Sequence, residues 1–326
     1  MDVESGNPMT SQHDGLPPIE ITPKDLSAYR KGNRGVDYVH TFDSGRPGPH
    51  VIVNALTHGN EFCGMVAVTH LLEQNIRPRR GKLTLSFSNM EAYGRFDPAK
   101  PFESRFVDRD FNRIWDSALL NSAEDNTELR RARELRPIFA EGDALLDIHS
   151  TSYAVPPMLI HEPQPKYAAI SKHLHSPLHH VLLPGVMHPG RPLIQYGDYG
   201  AAEKPPLGLV VECGQHFAAA SGQLAIDITI RFLDFFGMVT PELAARHPAE
   251  IGNPRRYEVT RVLVAQTAEF RFVKPWVGFE ELEEGELIAM DGDTEVRAPF
   301  PRCTVIMPTR RIQQGRDVVS LARPLP

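Results

Sequence analysis

Cysteine is scarce in this chain, and what there is of it stands apart. Cys63, Cys213 and Cys303 form no Cys-x-x-Cys pair, which excludes a disulfide framework and a thiolate zinc cage and makes a cytoplasmic location the expectation. Long apolar runs are missing where a targeting signal would stand. Met1 to Pro18 is polar and acidic, without a basic start or an apolar centre, so neither a signal peptide nor a membrane anchor is expected, and residues 1–20 read as a flexible leader. Basic charge is short as well: 35 Lys and Arg against 41 Asp and Glu give a formal net charge of −6, which provides no field to gather nucleic acid. Arg77, Arg79 and Arg80 make one local cluster, expected to be a solvated turn. No internal repeat stands out, which removes solenoids and propellers from consideration.

What is present is an ordinary globular composition, 41% hydrophobic and 23% charged over 326 residues. That length supports a large domain with a closed core and a smaller second one. Val51 to Ala55 is a short apolar run followed by Thr57-His58-Gly59-Asn60-Glu61 and then a helical pattern through Met65, Val68 and Leu72. The order predicts strand, loop, helix. Further strands are expected at Leu83 to Phe87, Ala144 to Ile148, Met158 to Ile160 and Leu207 to Val211, with helices near Leu129–Phe139, Lys166–Leu174 and Leu224–Phe236. Strands alternating with helices predict an α/β fold whose central strands are buried on both faces. After about Pro254 the texture changes to short β-rich pieces, so the catalytic α/β domain is placed at 21–253 and a small β domain at 254–326.

His-x-x-Glu pairs are common by chance, and the chain has three, at His58/Glu61, His70/Glu73 and His247/Glu250. Context separates them. His70 and Glu73 lie inside the helical pattern, where i, i+3 spacing normally means a solvated pair, and His247 precedes Pro248 in a polar loop. His58 and Glu61 instead follow a buried-strand pattern at its carboxyl end, where open α/β sheets place their ligands. A third metal ligand is expected from another strand end, and His149 closes the run Ala144 to Ile148 at such a place. Taken alone, His149 would be a capping or core histidine. With the other two it makes a His/Glu/His set that leaves a position open to water, as catalytic rather than structural zinc sites do.

Hydrolysis also needs a carboxylate to move a proton from water to the leaving amine. Glu212 follows the apolar run Gly208 to Val211, where a charge costs stability unless it is solvated, paired or functional; an ordinary strand-end ion pair is the competing reading. The segment Ser104 to Arg113 is dense in guanidinium and amide groups, which bind carboxylates bidentately and stabilise oxyanions.

Together, the Thr57–Glu61 block, the Arg105 to Arg113 block, Asp147-Ile148-His149-Ser150-Thr151 and Val211-Glu212-Cys213-Gly214 resemble the succinylglutamate desuccinylase/aspartoacylase family of the zinc carboxypeptidase superfamily. The resemblance implies a carboxypeptidase-like mixed sheet flanked by helices, with a smaller C-terminal β domain that shapes the active-site mouth. It implies one Zn2+ per chain on His58, Glu61 and His149, Glu212 as the base, Arg105 polarising the scissile carbonyl, and Asn112 with Arg113 gripping the substrate's α-carboxylate. The expected partner is then a small acylated amino acid, with no nucleic acid and no membrane, and assembly into a homo-oligomer stays open. The sequence departs from aspartoacylase proper at Ala202, where a second arginine is expected about ten residues before the base; Arg191 and Lys204 are the nearby substitutes. No tyrosine lies in Cys303 to Arg311 to match the family's C-terminal substrate contact. The expected activity is zinc-dependent hydrolysis of an N-acyl amino acid, with a metallocarboxypeptidase acting on short peptides and an inactive zinc- or metabolite-binding protein as alternatives.

Overall fold

The computed structural model describes residues 16–187 and 189–326, so most of the expected leader lies outside the described residues. Near the start of the described residues the chain is tied down, since Glu20 and Ile21 N–H both donate to Phe217 O at 2.9 and 3.0 Å. The strands are β1 (Val39–Asp43), β2 (His50–Ala55), β3 (Lys82–Phe87), β4 (Ala144–Thr151), β5 (Met158–His161), β6 (His179–Leu182) and β7 (Leu207–Gln215). They continue as β8 (Arg255–Val264), β9 (Arg271–Phe272), β10 (Glu281–Leu282), β11 (Leu287–Asp291), β12 (Thr294–Arg297), β13 (Cys303–Ile306) and β14 (Asp317–Leu325). One mixed sheet takes eleven of them in the order β1-β3-β2-β4-β7-β5-β6-β8-β14-β13-β10, and β12-β11-β9 form a second, antiparallel sheet.

Strands β3, β2, β4 and β7 run parallel at the centre. Their residues are almost all buried because side chains alternate between two covered faces. Val51, Val53, Leu146 and Ile148 pack with Phe62, Met65 and Phe232 from the helices Phe62–Glu73 and Ala219–Phe235. Their neighbours Ile52 and Leu145 point the other way, onto Leu129, Leu135 and Phe139 of the helix Thr127–Phe139. Truncating a residue such as Ile52 to Ala would cost roughly 2–5 kcal/mol. Among the described residues, no helix is long and apolar enough to cross a membrane.

Two expected boundaries move, with consequences for the site. β4 runs on to Thr151 and β7 to Gln215, so His149 and Glu212 lie within strands rather than just beyond their ends. The cause is their mutual pairing: β4 and β7 stay in parallel register from Ala144↔Leu207 to His149↔Glu212, and the register shifts only between His149 and Thr151. Antiparallel β5 closes the other side with Met158↔Glu212. Glu212 is therefore flanked by a strand on each side. The short strand β6 was not evident from sequence, because two histidines, His179 and His180, occupy half of its four positions.

The β-rich segment after about residue 254 is continuous with the main sheet. β6 pairs in parallel with β8, and β14, β13 and β10 extend the edge. It also carries a core of its own around Trp276, Ile288, Val305 and Leu321.

Candidate metal centre and cavity

The turn that presents the first two candidate ligands is tightly constrained. Leu56, fully buried, takes a left-handed φ of +57° at the end of β2, a costly conformation for a branched side chain that persists only where its surroundings enforce it. Gly59 has no alternative: a Cβ there would overlap the Ala92 carbonyl carbon and lie 2.5 Å from Ser104 O. Its N–H donates to Arg105 O at 3.0 Å, joining this turn to the arginine-rich loop.

His58, Glu61 and His149 come together, with one ligand atom from each lying within 4.8 Å of the others. His58 Nδ1 is 2.8 Å from Glu61 Oε1, and His149 Nδ1 is 2.9 Å from Glu61 Oε2. Burial opposes charge on Glu61, yet the two imidazoles hold its carboxyl well below the usual range. Burial also opposes charge on His149, and is outweighed by Asp147 and Glu61, which hold the imidazole well above its ordinary value. Each imidazole is gripped from behind: His149 Nε2 by Asp147 Oδ2 at 2.7 Å, His58 Nε2 by Asp110 Oδ1 at 3.0 Å. Carboxylates in this position fix ring orientation and tautomer for metal binding.

Asp147 is in turn the end of a buried network. Ser86 and Ser88 Oγ donate to Asn54 Oδ1, Asn54 Nδ2 donates to Asp147 Oδ1 and Thr57 Oγ1, and Thr57 Oγ1 donates to Asp147 Oδ1. A saturated network of this kind rigidifies the groups it touches.

The residues fit a divalent cation on their chemistry. The facing atoms of His58, Glu61 and His149 are two imidazole nitrogens and a carboxylate, a donor set suited to zinc. The carboxylates of Glu61, Asp110, Asp147 and Glu212 meet two guanidiniums, that of Arg105 and, near Asp110, that of Arg113, so carboxylates outnumber cations here.

Arg105 Nη1 donates to Glu61 Oε1 at 3.1 Å, and Nε and Nη2 donate to Asp110 Oδ2 at 3.3 Å. The loop carrying them is organised by Glu128, in the first turn of the helix Thr127–Phe139, which is fully buried. Its carboxylate accepts from the N–H groups of Val107, Asp108 and Arg109 at 2.7–3.1 Å. Asn112 Oδ1 accepts from Leu193 N–H at 2.9 Å, and Arg113 Nη1 donates to Asn112 O at 2.9 Å. Both line the same cavity, of about 180 Å³, as His58, Glu61, Arg105, His149 and Glu212.

Burial pushes the Glu212 carboxyl up to about 8, against the pull of His149. Its Oε2 has no hydrogen-bond partner among the described residues. The rest of the cavity wall comes from Ser150 to Tyr153, Val155, His216 and, from the distant C-terminal segment, Met307 to Thr309. Of these His216 is almost fully buried, and burial pulls it down to about 3. The other His-x-x-Glu pairs lie elsewhere: Glu73 pairs with Lys24 at 2.8 Å, and His247 Nδ1 lies 2.7 Å from Asp227 and is half-buried rather than a free loop residue.

Residues 47–225 match the family model described as "Succinylglutamate desuccinylase/Aspartoacylase catalytic domain". The chain belongs to that family. A succinylglutamate desuccinylase of Vibrio vulnificus (strain CMCP6) is 22% identical over 303 residues, covering 87% of this chain and 83% of that protein. A relative from Parasynechococcus marenigrum (strain WH8102), provisionally named an aspartoacylase, is 32% identical over 172 residues, and the alignment spans about half of each, 50% of this chain and 52% of that protein. The crystal structure of succinylglutamate desuccinylase from Vibrio cholerae superposes with a TM-score of 0.66 at 17% identity, covering 88% of this chain and 86% of that one. The fold is therefore that of a desuccinylase: a large mixed sheet flanked by helices, with a smaller antiparallel sheet.

Within this desuccinylase/aspartoacylase frame, the departures noted in the sequence become structural. Ala202 sits in an exposed turn. Neither Arg191 nor Lys204 lines the cavity; Arg191 Nη1 donates to Gln195 O, with Nε 3.8 Å from Asp116. A tyrosine does line the cavity, but it is Tyr153 rather than a residue of the C-terminal segment.

Proposed function

We propose that this chain is a zinc-dependent amidohydrolase that removes an acyl group from an N-acyl amino acid, with residues 21–253 as its catalytic unit and 254–326 supplying part of the mouth. The observation that carries the reading is the placement of Glu212, with an unpartnered Oε2, in the same cavity as the His58/Glu61/His149 group and the Arg105, Asn112 and Arg113 side chains. His58, Glu61 and His149 would hold the zinc, which when bound supplies Lewis-acid polarisation and makes water nucleophilic at neutral pH. Glu212 Oε2 takes the proton of the attacking water and delivers it to the amide nitrogen as the C–N bond breaks, giving a carboxylate and a free amine. Arg105 stabilises the negative charge that develops on the carbonyl oxygen. Arg113, with Asn112, binds the α-carboxylate and sets the carbonyl against Arg105. A cavity of about 180 Å³ favours a small conjugate over a peptide chain.

The test is a liquid-chromatography screen of acylated amino acids and dipeptides against the zinc-loaded protein, alongside metal analysis of His58→Ala and His149→Ala. Acyl release from at least one conjugate and loss of zinc in both variants are expected. Cleavage of dipeptides alone would identify a carboxypeptidase, and full zinc content in both variants would remove the metal assignment.

A further inference from the structure

The walls of the cavity differ in charge, and, granted the amidohydrolase reading, that difference selects among conjugates. One wall carries Arg105, Asn112 and Arg113. The other, formed by Ser150, Ser152, Tyr153, Val155, His216 and Thr309, contains no Lys, Arg, Asp or Glu. Its polar groups are tied to one another: Ser150 Oγ lies 2.8 Å from His216 Nδ1, and Ser152 Oγ lies 3.3 Å from His216 Nε2. An imidazole held between hydroxyls has one nitrogen donating and the other accepting, and each serine turns its O–H to match. The wall therefore offers uncharged donors and acceptors beside the apolar surface of Val155 and the Tyr153 ring.

Arg310 and Arg311 stand outside the lining. Their guanidiniums lie 5.1 Å from the Tyr153 ring centre and 4.8 Å from that of Phe102. Nor does the charged wall have cation to spare. Arg105 is already paired with Glu61 and Asp110, which leaves Arg113 as the lining guanidinium that can take a substrate carboxylate. A substrate carboxylate at Arg113 is the first added charge, and a second one against the hydroxyl wall would be buried without a counter-ion, which is costly.

We propose that the Ser150–Tyr153, Val155, His216 and Thr309 wall receives an uncharged group, so that the substrates are N-acyl amino acids bearing a single carboxylate rather than dicarboxylic conjugates. Isosteric pairs test it directly: N-acetylglutamine against N-acetylglutamate, and N-acetylasparagine against N-acetylaspartate, titrated calorimetrically into zinc-loaded Glu212→Gln protein so that turnover does not intervene. The amide member of each pair is expected to bind roughly tenfold more tightly or better, a small part of the cost of an unpaired buried charge. Thr309→Lys, placed at the cavity edge, should erase or reverse the preference. Free glutamine and glutamate, which have no acyl amide to cleave, give the same comparison with the wild-type protein if Glu212→Gln does not fold. Equal or tighter binding of the acid members, or binding of neither member, overturns the proposal. Turnover by the wild-type protein is scored separately: an amide preference in binding without hydrolysis would sink the amidohydrolase reading and leave the uncharged wall standing.

Discussion

His149 lies at the end of a chain of hydrogen bonds: one ring nitrogen faces Glu61, the other faces Asp147, and Asp147 is held by Asn54 and Thr57. Across the cavity, Thr309 belongs to the stretch between β13 and β14, and its neighbours Arg310 and Arg311 are exposed. In the first region a strand residue, His149, and a turn residue, Glu61, are held by buried partners. The second is built from a segment some 150 residues further on, which lines the cavity with Met307, Pro308 and Thr309. The contrast separates reaction from selection. The groups at the metal are fixed by buried partners, on a strand and on a constrained turn alike, while part of the substrate-facing lining comes from a loop, where sequence is free to vary.

That comparison can be broken at either end. The largest loss is expected from Glu212→Gln, which keeps the shape of the side chain but cannot accept a proton; turnover should fall about 10²- to 10⁴-fold, with zinc content and circular dichroism as in the wild type. Next comes Arg105→Ala, for which kcat and kcat/KM should fall together by about 10²- to 10³-fold, whereas Arg113→Ala should raise KM and leave kcat nearly alone. The division of roles is lost if both variants show the same KM rise and an unaltered kcat. Asp147→Asn, which removes the charge behind His149 without touching a ligand, should weaken zinc binding by about 10- to 100-fold in a chelator competition; His70→Ala should leave it unchanged. The smallest effect is expected from Thr309→Ala, which should alter kcat/KM for one substrate by no more than a factor of about two or three, the range of roughly 0.5 kcal/mol typical of such positions. A loss at Thr309 comparable with that at Glu212 would mean that the mouth takes part in the chemistry and that the two regions are not separate.

How far the sequence could be read follows the same divide. β2, β4 and β7 announce themselves as apolar runs because they are buried on both faces, and the polar residues that interrupt them, His149 and Glu212, stand out against that background. β6 was hidden by its histidines. Asp147 carried a signal that went unused: residues two apart on a strand share a face, so a carboxylate two positions before a candidate ligand stands beside it. Asp110 had no such signal, since it meets His58 across 52 positions of chain. Glu128 looked like any first-turn helix glutamate, and it is buried only because three loop N–H groups turn towards it. His216 and Thr309 owe their places in the cavity to tertiary packing and could not have been found by local pattern.

The bond from Gly59 N–H to Arg105 O makes the turn bearing His58 and Glu61 and the loop bearing Arg105 one mechanical part. Gly59 is wedged against Ala92 and Ser104, so neither piece can be shifted or lengthened without dragging the other. Anyone transplanting this centre into another scaffold, or shuffling segments between homologues, would have to carry residues 56–61 and 88–113 as a single cassette. A crossover placed between them would leave each half well formed and the arginine out of line with the carbonyl.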